Sequence, residues 1–261
     1  MNLKLLFISL VCLFGVSSCA KNTTTKSDNN NRSENSQQVK KSSPEKANID
    51  LGVGYLKRNK PGDLDIAIEK FKKAVEYNPK YALAHSMLAN AYDRKALFDS
   101  AQKHYKLSMK YNNNDPDIIN NYANFLCQRG LYDLAVEKYM LVVNNPQYKT
   151  PAYAYENAGI CSIGGNNIEK AEEFFRSALE LNDKQPNSLY QLMQINLNKK
   201  QYFKALAFLQ RLEQVVNPSP EMLAAGYKIE KGLNHNDLAK IYLDKLKQNF
   251  PGSDSLKNIN E

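Results

Sequence analysis

The sequence predicts an all-α protein, a right-handed superhelical solenoid of about six helix–turn–helix units. Three observations predict it. Alanines recur at Ala67, Ala101, Ala135, Ala171, Ala205 and Ala239, at intervals of 34, 34, 36, 34 and 34 residues. Four residues after each stands a large side chain: Phe71, Tyr105, Tyr139, Phe175, Leu209, Leu243. Three further on come Ala74, Ser108, Val142, Ala178, Leu212 and Leu246, followed by a breaker or polar turn at Pro79, Asn113, Pro146, Asp183, Asn217-Pro218 and Pro251. A fixed period of this length marks units that bury their apolar faces only against neighbouring units.

Residues 1–18 read as a lipoprotein signal peptide. Lys4 supplies a positive start, and Leu5 to Val16 is an apolar run of about 12 residues, short of the roughly 20 that a span requires. Ser18-Cys19-Ala20 loosely fits an ordinary cleavage site. Val16-Ser17-Ser18-Cys19 resembles a bacterial lipobox, which implies lipidation of Cys19. Acyl chains contribute about 0.8 kcal/mol per buried methylene, and two or more anchor stably. Ala20 after the cysteine resembles the outer-membrane sorting pattern, so the expected location is the periplasmic face of that membrane. Residues 19–44 read as anchor and disordered tether. The stretch is rich in Asn, Ser, Thr, Lys and Gln, with Val39 almost its only large apolar residue. Its flexible reach is roughly 25–30 Å.

Residues 45–253 hold the six repeats. These resemble the tetratricopeptide repeat, a helix–turn–helix unit. A small residue in each second helix lets the helices of a unit approach, and the large residue one turn on fills the gap to the neighbour. Proline then ends that helix. Gly52, Ala89, Ala123 and Gly159 are the small residues expected on the first helices. Met193 and Tyr227 stand there in units five and six, where looser helix pairs are expected. Extra residues fall around Arg58 to Gly62 and between Asn144 and Pro151. Residues 254–261 are expected to be a polar tail.

The chain carries a formal charge of +8, of which +4 falls on residues 1–46. The repeats therefore carry a mixed surface without the basic stripe that phosphates need, and no nucleic-acid partner is expected. His85, His104 and His235 are read as lying in separate repeats, satisfied or facing solvent, and no metal site is expected. No phosphate loop or nucleophile–base constellation is present, so neither catalysis, cofactor nor small-molecule substrate is expected. Protein binding remains. Asn90 and Asn124 share one repeat position, and Asn121 and Asn157 another, on first helices whose outer face lines the concave groove. Such a ladder offers donors and acceptors to a peptide backbone, although asparagine is common throughout the chain. In unit one, Ile49, Val53 and Leu56 offer an apolar lining that suits an amphipathic partner helix. Cys127 and Cys161 lie 34 residues apart on first helices of adjacent units. In an oxidising compartment they are disulfide candidates, the alternative being two small buried apolar residues.

The stretches "NNYANFLCQRG" (Asn120 to Gly130) and "TPAYAYENAGIC" (Thr150 to Cys161) resemble paired signatures of the PilF/PilW family, and Gly226 to Ser253 is similar to that family's last repeat. Ala123 departs from the pattern, which has glycine there. The resemblance implies a pilotin: an outer-membrane lipoprotein for type IV pilus biogenesis or stability. It would bind the pilus secretin subunit and promote its localisation and multimerisation. Scaffold lipoproteins of barrel assembly or cell-wall synthesis would share the lipobox and the repeats, but would not be expected to carry the cysteine stretches.

Overall fold

A computed structural model describes residues 42–260. The signal-peptide and lipidation readings, Cys19 included, lie outside the described residues, as does the tether up to residue 41. Twelve helices pair into six units. Unit one is α1 (Pro44–Arg58) with α2 (Asp63–Tyr77), and unit two is α3 (Ala82–Arg94) with α4 (Phe98–Tyr111). Unit three is α5 (Pro116–Gln128) with α6 (Tyr132–Val143), and unit four is α7 (Pro151–Gly164) with α8 (Ile168–Leu181). Unit five is α9 (Pro186–Asn198) with α10 (Tyr202–Glu213), and unit six is α11 (Pro220–Gly232) with α12 (Asn236–Asn249). The described residues form an all-α repeat solenoid.

The sequence sets these boundaries chemically. Proline opens α1, α5, α7, α9 and α11, where its fixed φ suits the first turn and its missing N–H costs nothing. Asp115 caps α5 by accepting from the N–H groups of Asp117 and Ile118. Within units two to six the chain turns through one residue at positive φ: Ala96, Gly130, Asn166, Lys200 and Asn234. The next N–H closes back on the helix, as from Leu97 to the Tyr92 carbonyl at 2.9 Å and from Gln201 to Asn196 at 2.8 Å. Between units, Asn78, Asn112, Asn145 and Asn182 each accept from the N–H two residues on. Much of the chain's asparagine is therefore turn chemistry.

Small-on-large packing closes each helix pair. A Cβ added to Gly52 would lie 2.4 Å from Phe71 Cε1, and one on Gly159 would lie 2.7 Å from Phe175 Cε1. Unit six departs from the expected register by one residue. Gly226, not Tyr227, is the small residue, and it faces Tyr242, whose Cδ1 would stand 2.5 Å from an added Cβ. That pair is as close as the others. In unit five Met193 and Leu209 are fully buried together in one cluster, so the larger first residue is matched by a smaller partner. Even so, the helix pairs of units five and six make fewer close backbone approaches than the other four pairs, as expected of looser units.

The tail reading needs correction too. Residues Asp254–Asn260 form a short helix, α13. Leu256 and Ile259, one turn apart, pack against Leu223, Ala224 and Leu246 and cover the end of the apolar core. A terminal unit of a solenoid requires such a cover.

Candidate functional site

The first helices of successive units touch one another, α1 with α3, α3 with α5, α5 with α7 and α9 with α11. Each second helix instead packs on the first helix of the following unit. The first helices thus crowd on the inner side of the curve, and their outward residues line its concave face.

Asn90, Asn121, Asn124 and Asn157 are all half-buried on these helices. One of them also braces the fold. The Tyr139 hydroxyl donates to Asn124 Oδ1 at 2.6 Å. Burial pushes the ionisation of Tyr139, and of its counterpart Tyr105 in unit two, well above the ordinary range, so each stays a neutral phenol. The bond to Tyr139 commits the carbonyl of Asn124 and leaves its amide nitrogen as the group that can meet a ligand.

The apolar lining expected in unit one is corrected in part. Ile49 is only 4% exposed and belongs to the core with Ala67, Phe71 and Leu88. Val53 and Leu56 are half-buried against the same core. Their i, i+4, i+7 spacing puts all three on one face of α1, and that face packs on the core formed with α2 and α3. The open apolar side chains that were not foreseen lie on α7. Tyr153 and Ile160 are 55% and 41% exposed, at i−4 and i+3 from Asn157. That spacing puts all three on one helix face, and it was available in the sequence.

Cys127 and Cys161 form a disulfide, with Cα atoms 5.6 Å apart. It joins α5 to α7, the two helices that carry Asn121, Asn124 and Asn157.

The histidines are arranged differently from the expectation of three separate repeats. His85 on α3 and His104 on α4 belong to one unit, with their Nδ1 atoms 2.9 Å apart. His85 Nε2 donates to the Pro79 carbonyl at 3.0 Å, and one of the two facing Nδ1 atoms donates its proton to the other. Burial lowers the pKa of His104 to about 4, with His85, Lys103 and Lys72 adding to the shift. His235 is apart from them and pairs with the buried Glu230 at 2.8 Å. Among the described residues no cluster of three or more His, Cys, Asp or Glu is placed to hold a metal ion. No described helix is long and apolar enough to cross a membrane.

Comparison with known proteins bears on this surface. Residues 58–95 match the TPR repeat family. The type IV pilus assembly protein PilF of Pseudomonas aeruginosa is 27% identical over 207 residues, covering 79% of this chain and 81% of that protein. The solved structure of P. aeruginosa PilF aligns with a TM-score of 0.73 and 25% identity, covering 83% of this chain and 96% of its own. PilW, described as a widely conserved type IV pilus biogenesis factor, aligns with a TM-score of 0.72 and 25% identity, covering 83% and 98%. YrrB, described as a TPR protein with an unusual peptide-binding site, shares the fold at 15% identity and a TM-score of 0.61, covering 74% and 98%.

Proposed function

Because the chain belongs to the PilF/PilW family of tetratricopeptide-repeat proteins, we propose that it acts in type IV pilus biogenesis as a non-enzymatic, lipid-anchored binding protein. In this reading Cys19 carries the lipid and holds the chain on the periplasmic face of the outer membrane. The stretch after it acts as a tether, and the solenoid binds the secretin subunit, promoting its localisation and assembly into the multimeric ring.

The observation that carries the reading is the match of 83% of the chain to PilF and PilW over nearly their full lengths. The concave face supports it physically. Asn121, Asn124 and Asn157 offer backbone-directed polar groups beside the exposed Tyr153 and Ile160. That combination suits an extended or helical protein segment, held by main-chain hydrogen bonds and anchored by apolar contacts.

The test is genetic. A strain lacking the gene is examined for heat-stable secretin multimers in the outer membrane and for surface pili, beside one that carries Cys19→Ala. Loss of multimers in the deletion, and mislocalised or unassembled secretin in the variant, are expected. Unchanged multimers and pili in the deletion strain overturn the reading. A double substitution, Asn124→Ala with Ile160→Asp, should weaken co-purification of the secretin without displacing the protein from the membrane.

A further inference from the structure

The second helices share a feature that fails once. Two residues before each repeat alanine stands Asp65, Asp99, Asp133, Glu169 or Asp237, in the first turn of α2, α4, α6, α8 and α12. An acid there is favoured, because the first-turn N–H groups carry partial positive charge. In unit five the position is Phe203, and α10 has no acid in its first turn. Phe203 is 75% exposed, the highest value among the large apolar side chains described. A helix end that forgoes its acid and shows an aromatic ring to water gives up stability twice.

Phe203 stands beside a cleft of about 490 Å³ where unit five meets unit six. Tyr202 forms a wall of it. Its ring lies on Gly232, so closely that an added Cβ would meet Tyr202 Cε1 at 2.4 Å. Leu233 adds apolar surface, and the charged side chains of the lining are Lys200 and Lys204, with no carboxylate. The corresponding cleft two units earlier, about 420 Å³, places Tyr132 over Gly164 and Gly165 in the same way. That cleft is lined by Asp133 and Glu137 as well as Lys170. The architecture is thus repeated, and of these two copies only the one at unit five has charged side chains of a single, positive sign. Asp237 is the nearest acid in sequence register and lines the adjoining recess with Leu238.

We propose that the turn edge of units five and six, built on Phe203, Tyr202, Leu233, Lys200 and Lys204, is a second protein-docking surface, separate from the concave face, that takes an acidic peptide segment with an aromatic or aliphatic anchor. The anchor side chain enters the cleft against Tyr202 and Phe203. Flanking carboxylates meet the two lysines and the N–H groups of the first turn of α10. A recess of about 490 Å³ has room for an inserted side chain.

The test pans a phage-displayed random dodecapeptide library on the full chain, with Phe203→Asp as counter-selection. Fluorescence anisotropy then follows a labelled synthetic copy of the enriched peptide. Acidic residues flanking an aromatic or aliphatic one are expected. Affinity should fall about tenfold or more in Phe203→Asp and in Lys200→Glu with Lys204→Glu, and it should weaken with added salt. Phe203→Asp installs the residue type of the other five units, so its thermal melt should match or exceed that of the parent; a lower melt overturns the account of unit five. Three other results also overturn the proposal: enriched peptides without acids, binding indifferent to Phe203→Asp, or Phe203-dependent self-association in sedimentation with no peptide selected. Phe203-dependent pelleting with phosphatidylglycerol vesicles and no peptide enrichment would assign the patch to the membrane instead. The secretin multimer assay should be unaffected by Phe203→Asp, which separates this surface from the concave one.

Discussion

Replacing Gly159 with alanine should lower stability, whereas the same replacement at Gly54 should raise it. Both glycines lie inside helices, α7 and α1, and both cost the fold about 0.5–1 kcal/mol of backbone entropy relative to alanine. Gly54 has no heavy atom within 4 Å of an added Cβ, so only the gain applies there. At Gly159 the added Cβ would stand 2.7, 2.8 and 2.9 Å from Cε1, Cζ and Cδ1 of Phe175. That ring is fully buried. Ordinary contact requires a retreat of roughly 0.8 Å, and overpacking of this kind costs about 1–3 kcal/mol. Subtracting the entropy gain leaves a net loss of up to about 2.5 kcal/mol, about 1 at the middle of both ranges, or a fall of up to about 10 °C in melting temperature for an array of this size.

Units two and three bound the effect. They carry Ala89 and Ala123 opposite Tyr105 and Tyr139, and Tyr139 is tied through its hydroxyl to Asn124 on the facing helix. The helix pair therefore accepts a Cβ when the opposing ring is held elsewhere. Gly159→Ala combined with Phe175→Leu should recover at least about 1 kcal/mol of coupling in a double-mutant cycle. Urea denaturation followed by circular dichroism, with thermal melts alongside, reads the four proteins of the cycle and Gly54→Ala. If Gly159→Ala stabilises as much as Gly54→Ala, helix propensity governs both sites and the close approach to Phe175 carries no weight.

Other perturbations test other parts of the array. Substituting both Cys127 and Cys161 with serine, or adding reductant, should cost about 3–4 kcal/mol from the loop of 34 residues that the disulfide closes, read as a lower urea midpoint in the reduced protein. Below neutral pH the His85–His104 pair should weaken the fold. The folded pKa of His104 is lowered to about 4, so its contribution is complete above about 6.5 and is lost as pH falls from there towards 4. With allowance for solvent screening the loss is about 1–2 kcal/mol, and His104→Asn should flatten the melting temperature against pH in that window. Tyr139→Phe removes the donor to Asn124 Oδ1 and should cost about 1 kcal/mol, with sharper side-chain amide signals of Asn124 as that side chain is freed. A rise in stability would mean that the hydroxyl is better solvated than bonded.

The period was legible in the sequence because it rests on volumes: a small residue must face a large one wherever two helices nearly touch. What escaped was set by rotation. In unit six, Gly226 and Tyr227 are neighbours in sequence but point about 100° apart on the helix, and packing chose the glycine, with Tyr242 in place of Leu243. Ile49, Val53 and Leu56 were visible as one apolar face, but not which way it looked. The buried face of α1 and an open groove give the same spacing. His85 and His104 stand 19 residues apart, one on each helix of a unit, a separation that brings residues together only once the pairing of α3 with α4 is known. Leu256 and Ile259 sat in a polar stretch too short to suggest a helix until a core end was there to be covered.

A repeat array supplies its own controls, and this distinguishes the two kinds of departure in the chain. Met193 departs from the small residue of the other units, but Leu209 is smaller than the phenylalanine or tyrosine it replaces, and the pair remains fully buried. Gly226 departs in register, and Tyr242 moves with it. Each of these is answered by a second change that keeps the side-chain contact between the paired helices, so neither requires a ligand. Phe203 departs from five acidic counterparts, and nothing in the described residues answers it: the ring stays 75% exposed, and the first turn of α10 keeps no acid. A loss that packing does not recover within the chain is the kind that contact with another molecule can recover, which is why the edge of unit five, and not the irregular centre of units five and six, is the place to look for a second partner.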